Sequence, residues 1–483
     1  MKRFDTVLIA NRGAIAQRIA RTCKELGLRT IMVYSPRDCH PELLQLADHC
    51  LEIPDLAEQS AYLNQAAILA IAKDFQAAIH PGYGFLSERA DFAQACLDAG
   101  LIWIGPDPDV LALCGNKARC NQLMQQQQLP LLSSVMCHDT KDIAKMEALG
   151  FPILLKPSQG GGGIGMRLVQ QAAELPRALE ACLQLSQRFF GQQEVIAERF
   201  LDAARHIEVQ VLADAWGTIR IVGERECSIQ RRRQKVVEEA PTIALNPEQR
   251  QRLYELALQA AQAVGLNQVA TIEFLWDGSH FWFLEINPRI QVEHAVTEML
   301  TGFDLVEWQV RIAQGENLDG FVDPVPTGHA IEARLYAEHP WTGLPAAGDI
   351  YHLNLPTGHG LRIESGVYQG MKLSSAFDPL LMKVIAHGPN RERARLRLLQ
   401  ALQSLELSGS EGLATNQPAL VAILQSPEFI SGAYHTGFLE TFKALDESVS
   451  PETALLLTHL QAQQRQPLQQ SHASEFWRPS FCH

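Results

Sequence analysis

Short apolar runs alternate along this chain with longer segments whose apolar residues recur every three to four positions. Residues 6–10 read as a strand, Asn11-Arg12-Gly13 as a turn, 14–26 as an amphipathic helix stopped by Gly27, and 30–34 as the next strand. That order is a βαβ unit, and it continues to about Gly105. A Gly/Pro-rich loop, 80–88, follows the strand 77–79, the position at which open α/β sheets bind ligands. A new unit opens at Pro130, with strands expected over 151–156, 167–169, 194–197, 206–212 and 219–224 and a helix over 247–264. From His329 a third, mixed unit carries strands near 331–334 and 382–386 and a long helix, 390–405. After about Ala444 the chain turns Gln- and Leu-rich, with one helix expected over 451–464.

One pair of strand-like runs ends in polar groups instead of a polar turn. Residues 271–276 and 280–287 flank Asp277-Gly278, a strong hairpin signal. Glu285 and Asn287 are two apart and share a strand face. Oxygen ligands converging from a rigid hairpin suit Mg²⁺, which takes few carboxylates and keeps places for phosphates. Register decides whether Glu273 joins them. A two-residue Gly278-Ser279 turn would pair Glu273 with Leu284 and put the glutamates on opposite faces. A three-residue loop with a bulge pairs Glu273 with Glu285, and this is the expected arrangement. An ordinary edge hairpin with solvated glutamates is the alternative.

Gly160-Gly161-Gly162-Gly163-Ile164-Gly165 lies between two expected strands, where backbone N–H groups can cradle phosphate oxygens. It lacks the GK[ST] and helix of a Walker loop, and no helix opens after it as in a dinucleotide fingerprint. Lys156 stands at the end of the preceding strand, placed to meet the same phosphates. Residues 224–235 form a polar, basic stretch that includes Gln230 and Lys235. In an acidic chain such a local cluster suits a small anion. Arg289 offers a planar fork to a carboxylate-like anion, and Glu293, four residues on, is a candidate base.

Composition narrows the classes. The chain has 483 residues, room for roughly three or four domains. Its net charge of −13 argues against a general nucleic-acid binder. No apolar run is long enough to span a membrane, and the N-terminus enters a strand at once, so neither a membrane segment nor a secretory signal is expected. Ten scattered cysteines without a CxxC pair read as reduced thiols of a cytoplasmic protein. Cys114 and Cys120 flank Lys117 but lack the partners of a metal site.

At this point the chain resembles a family. The segments 10–13, 61–64, 80–88, 104–106, 156–167, 224–241, 285–298, 328–334 and 377–383, in this order, are similar to those of biotin carboxylase, an ATP-grasp ligase. The likeness covers residues 4–439. It implies an α/β (α+β) fold: a Rossmann-like pre-ATP-grasp domain over 1–113, an ATP-grasp domain over 114–325 with a glycine-rich lid at about 131–203, a C-terminal biotin carboxylase domain over 326–443, and a tail, 444–483. It also implies the roles of particular residues. Lys117, Lys156, Gly161, Gly162, Gly163, Glu198, Leu201, His206, Gln230 and Glu273 would meet ATP. Glu273, Glu285 and Asn287 would hold Mg²⁺ (or Mn²⁺). Lys235, Arg289, Gln291 and Val292 would bind bicarbonate. Glu293 would be the base and Arg334 would stabilise the biotin enolate, with Lys235 and Arg289 completing the catalytic set.

The implied partners are bicarbonate, ATP, a biotin carrier protein and carboxyltransferase subunits, with no nucleic acid and no membrane. A homodimer is implied through the helix bearing Arg21 and Glu25. Biotin would arrive on the separate carrier, since neither Met371-Lys372 nor Met382-Lys383 has the setting of a biotinylated lysine. The chain departs from the family pattern at Ala14 (usually Glu), Ile164 (usually basic), Arg233 (usually His) and Ala295 (usually Pro). Another ATP-grasp carboxylate ligase, or a non-catalytic paralogue that binds nucleotide, are the other readings of the same residues.

Overall fold

A computed structural model describes residues 4–55, 60–158, 165–191 and 193–442. The glycines 161–163, Ile164 and the tail from 443 onward fall outside the described residues. The expected N-terminal βαβ pattern is present. Strands β1 (Thr6–Ile9), β2 (Arg29–Tyr34), β3 (His49–Glu52) and β4 (Ala78–His80) form a parallel sheet in the order β3-β2-β1-β4. The wholly buried Thr-Val-Leu-Ile of β1 is what a strand covered on both faces requires. Asn11, just past β1, donates from Nδ2 to the carbonyls of Pro81 (2.7 Å) and Tyr83 (2.8 Å), and so ties the 80–88 loop to the first turn. Gly82 has φ +65°, and a Cβ there would come within 2.9 Å of that same Nδ2.

A separate antiparallel sheet, ordered β5-β8-β6-β7, is built from β5 (Ser134–Cys137), β6 (Ile153–Pro157), β7 (Arg167–Val169) and β8 (Val195–Arg199). Lys156 and Glu198 ride on β6 and β8. The largest sheet is antiparallel and eight-stranded. Its strands are β9 (Arg205–Ala213), β10 (Ile219–Arg231), β11 (Gln234–Ala240), β12 (Ala270–Trp276), β13 (Phe281–Asn287), β14 (His329–Tyr336), β16 (Leu361–Ser365) and β17 (Leu380–Gly388), ordered β13-β12-β9-β10-β11-β14-β17-β16. Strand β10 runs seven residues beyond the expected 219–224, so the basic stretch is largely strand. Residues 222–230 are buried on both faces, where sequence alone reads solvent. Strands β15 (Ile350–Asn354) and β18 (Glu406–Gly409) pair apart from it.

Over β9, β12 and β13 the large sheet has one apolar and one charged face. The helix Pro247–Ala263 starts at a capping box between Asn246 and Gln249. It buries Leu253, Leu256, Ala257 and Ala260 against Ile207, Val209, Val211, Ile272, Phe274, Phe283 and Ile286. Alternation then sends His206, Glu208, Gln210 and Glu273 to the other face.

The β12–β13 hairpin makes this work, in a way that differs from the expectation. Trp276 pairs with Phe281 and Asp277 N donates to His280 O, so the turn is the two-residue Gly278-Ser279 one and the expected three-residue loop is absent. Phe274 still pairs with Phe283, but Glu273 pairs with Glu285, so the extra residue is inserted at Leu284, inside the strand. Before this bulge Phe281 and Phe283 face the apolar core. After it Ile286 does, and Glu285 and Asn287 face the charged side. The expected Glu273–Glu285 pairing therefore holds by another route. Asp277 tightens the turn by accepting from the backbone of Ser279 (2.8 Å) and His280 (2.7 Å) and from Trp282 Nε1 (2.8 Å).

Candidate functional site

The charged face gathers most of the residues singled out from the sequence. Lys235, at the start of β11, donates to Glu208, to Glu273 Oε1 (2.8 Å) and to Glu293 Oε1 (2.7 Å). Burial alone would lower the pKa of this ammonium, but the three carboxylates outweigh it and raise it well above the ordinary lysine value. Lys235 is therefore a permanent cation. Glu293 also receives Arg334 Nη2 at 2.8 Å. Burial would push its carboxyl up; Lys235, Arg334 and Arg225 reverse that and hold it well below the usual carboxylate range.

Asn287 Nδ2 lies 3.0 Å from Glu273 Oε1 and 3.4 Å from Glu285 Oε1. The inner oxygens of both glutamates thus converge on one side-chain amide, and turning that amide over presents a third oxygen to the same point. This donor set, two carboxylates and an amide carbonyl on rigid strands, fits a hard divalent cation. Lys117 donates to Glu285 Oε2 at 2.8 Å, and against the effect of burial this pair raises the lysine and lowers the glutamate. His206 Nε2 sits 3.0 Å from Glu273 Oε2. Gln230 Nε2 lies 2.8 Å from His206 Nδ1, so with the amide as donor the imidazole carries its proton on Nε2, toward Glu273.

Arg289 is fixed on several sides: to Glu88 of the 80–88 loop, to Gln291 Oε1 (2.7 Å) and to Asn287 Oδ1 (3.1 Å). Gln291 in turn donates to Glu273 Oε1 at 3.0 Å. Val292 enters through its backbone, whose carbonyl accepts from Lys383 Nζ at 2.5 Å. Lys156 and Glu198 pair with each other at 2.8 Å, buried on the smaller sheet, and have no hydrogen bond to the carboxylate cluster. Both are near enough to act through charge, Lys156 on Glu285 and Glu198 on Lys117. Leu201 lies two residues beyond β8, apart from the cluster.

Sequence reasoning missed three participants. Glu208 accepts from both Lys235 and Arg225 Nε, and Arg225 is fully buried between Glu208, Gln210, Thr271 and Thr297. Period-two alternation from His206 points to Glu208, but Arg225 is five residues from Gln230, and register shifts in β10 between 226 and 230 hide it from the same rule. Glu88 was inside the quoted loop but carried no role. Of the departures from the family pattern, Ala14 and Ala295 are buried, and the backbone at 13–14 abuts Gly366. The Arg233 guanidinium lies 5.7 Å over the Phe200 ring. Among the described residues no cysteine is bonded to another, and no helix is long and apolar enough to cross a membrane.

Comparison with known proteins places this geometry. Residues 3–111 match the biotin carboxylase N-terminal domain, 116–321 the carbamoyl-phosphate synthase L chain ATP-binding domain, and 332–441 the biotin carboxylase C-terminal domain. The biotin carboxylase of Halalkalibacterium halodurans is 43% identical over 444 residues, 90% of this chain and 97% of that protein. The mitochondrial methylcrotonoyl-CoA carboxylase subunit alpha of Mus musculus is 40% identical over 441 residues, but the match spans only 61% of its length. Among solved structures, the biotin carboxylase domain dimer of the Hydrogenobacter thermophilus 2-oxoglutarate carboxylase, in complex with MgADP, ADP and bicarbonate, is 38% identical with a TM-score of 0.87, covering 91% of this chain and 98% of that one. The chain belongs to the biotin carboxylase family of ATP-dependent ligases, built on the ATP-grasp fold.

Proposed function

We propose that this enzyme carboxylates biotin presented on a separate carrier protein, using ATP and bicarbonate and passing through carboxyphosphate. The observation that carries the reading is the single face on which Lys235 joins Glu273 of the candidate metal set to Glu293 of the candidate base. Glu273, Glu285 and Asn287 would hold Mg²⁺ (or Mn²⁺), which when bound screens charge on the phosphates. Lys117 and Lys156 face the same phosphates. Glu198, Leu201, His206 and Gln230 would line the nucleotide; the glycines 161–163, assigned to the same nucleotide by resemblance, lie outside the described residues.

Bicarbonate is held by Lys235, Arg289, Gln291 and the backbone of Val292. When that anion arrives, it competes for the cations that hold Glu293 low, and Glu293 becomes a stronger base. The bicarbonate oxygen attacks the γ-phosphorus, the bond to ADP breaks, and carboxyphosphate forms. Carboxyphosphate then breaks into CO₂ and phosphate beside biotin, the ureido N–H gives its proton to the released phosphate, Arg334 compensates the enolate charge, and the nitrogen attacks CO₂ to give carboxybiotin. Carboxyltransferase subunits would use the product. The exposed Arg21 and Glu25 on the helix Gly13–Glu25 support a homodimer through that face, and the unpaired thiols support a cytoplasmic setting. The domain divisions after 113, 325 and 443 belong to the same reading. ATP hydrolysis measured with and without bicarbonate and free biotin tests it. Bicarbonate-dependent turnover that biotin stimulates is expected, and turnover indifferent to both would overturn it.

A further inference from the structure

Arg334 is held from two sides. Glu293 takes its Nη2, and Glu238 Oε1 lies 2.5 Å from its Nε without the alignment of a hydrogen bond. Glu238, on β11, pairs directly across the sheet with Glu332 on β14, and Glu332 stands two residues before Arg334. All three side chains therefore share one face, with the Cβ atoms of the two glutamates about 5 Å apart. Both glutamates are fully buried, and none of their four oxygens accepts a hydrogen bond from a described residue.

The charged groups around this pair do not balance it. Glu238 faces Arg334, Lys235 and Glu293. Glu332 faces Lys383 from β17 at 3.9 Å, Arg334, Glu238, and Glu364 from β16. Lys383 is already committed to Glu364 (2.6 Å) and to the Val292 carbonyl. Behind these lies His294, on the helix His294–Thr301, whose burial keeps its imidazole neutral. Lys235 is shared by Glu208, Glu273 and Glu293. Arg225 serves Glu208 and Glu293, and Arg362 and Arg18 serve Glu364, so the two unsatisfied glutamates are left with the shared Arg334 and Lys383, and a proton held between them offsets their like charges. Burial accordingly pushes Glu238 up to about 7 and Glu332 to about 8.

We propose that Glu238 is a positioning residue for Arg334, and that Glu238 and Glu332 form a proton-sharing carboxyl pair that sets how much of the Arg334 charge remains available to an anion in the pocket. This rests on the function proposed above. While the pair keeps a proton, Arg334 is opposed chiefly by Glu293. When the last proton leaves to solvent, a second full carboxylate opposes the guanidinium, and anionic substrate and enolate are held less well.

The test is the pH profile of kcat/KM for bicarbonate-dependent, biotin-stimulated ATP hydrolysis in the full chain, in wild type and in Glu332→Gln and Glu238→Gln. The wild type should lose activity on the alkaline side. In Glu332→Gln, Glu238 loses its like-charged neighbour and ionises more readily, so that limb should move down by roughly one pH unit or more, with KM for MgATP within about twofold. Glu238→Gln, the isostere of the protonated form, should keep kcat within about threefold and flatten the alkaline limb, whereas Glu238→Ala, which no longer braces the guanidinium, should lower kcat by about 10- to 100-fold, again with little change in KM for MgATP. An alkaline limb unmoved in Glu332→Gln would overturn the proposal. Infrared difference spectra of the wild type between about pH 6 and pH 9 need no variant: a protonated-carboxyl band should disappear, and its absence at the lower pH sinks the idea. A wild type without bicarbonate-dependent turnover removes the functional reading instead, and the infrared band still decides whether the pair holds a proton.

Discussion

Glu238 and Glu239 are neighbours on one strand, both buried, and they live in opposite worlds. Glu239 faces away from the candidate site and is fully partnered. His329 Nε2 (2.6 Å), Arg391 Nε (2.6 Å) and Nη2 (2.9 Å), and the Tyr434 hydroxyl all meet its oxygens. Burial would raise its carboxyl, but these partners lower it to about 2. Glu238 faces the site with one misaligned ion pair and is pushed up to about 7. Burial is common to both, so burial alone does not separate a structural carboxylate from a functional one. Incomplete satisfaction does: it keeps a group able to change its charge.

Substitutions can break or sharpen this contrast. The largest effect should come from Lys235→Gln, which leaves Glu208, Glu273 and Glu293 facing one another without their shared cation. Bicarbonate-dependent kcat/KM should fall by about 100- to 1000-fold. A fall of less than tenfold in steady-state kinetics would remove Lys235 from the centre of the site. Next, Glu239→Gln breaks a buried, satisfied set and should cost about 3 to 5 kcal/mol of stability at neutral pH, read as a lower urea midpoint. Kinetics of the remaining folded enzyme should be nearly unchanged, and a selective loss of turnover would erase the distinction between the two faces of β11.

The pH dependence of stability should carry opposite signs for the two sides. Glu239 has a folded pKa of about 2, below its ordinary 4.5, so its contribution is present above 4.5 and lost as pH falls toward 2. Glu238 and Glu332 have folded values raised to about 7 and about 8, so the folded state binds more protons and stability declines as pH rises from 4.5 to about 8. Glu332→Gln should therefore stabilise the protein at about pH 8 by about 1 to 3 kcal/mol and much less at about pH 5. Calorimetry at the two pH values checks the sign. The smallest effect is expected at Arg233. Arg233→His removes the guanidinium over Phe200 and should change KM for MgATP about two- to fivefold, the scale of an exposed cation–π contact.

The sequence carried the alternating architecture and the hairpin well, because period-two and period-3.6 patterns and a Asp-Gly turn are local signals. Glu285 and Asn287 on one face followed from spacing alone. Their union with Glu273 depended on where an extra residue sat, and turn chemistry cannot reveal a bulge four residues away from the turn. Glu332 and Glu238 were invisible for a different reason. They are partners across β11 and β14, 94 positions apart in the chain, and a lone glutamate in a strand reads as solvent-facing until its neighbours are known. The basic stretch looked like a surface patch for the same reason, although Arg225 within it is among the most enclosed side chains of the protein.

Leu284 shifts the facing of everything after it in β13. Straightening the bulge with every residue kept would turn Glu285 and Asn287 into oil and Ile286 toward charge, whereas deleting Leu284 leaves Phe283 opposite Phe274 and Glu285 opposite Glu273 in a regular strand. The candidate metal corner thus depends on the pairing of Glu273 with Glu285 and not on the number of residues between them, so loss of the Leu284 codon should leave both carboxylates on one face, and homologous chains can differ by that one residue.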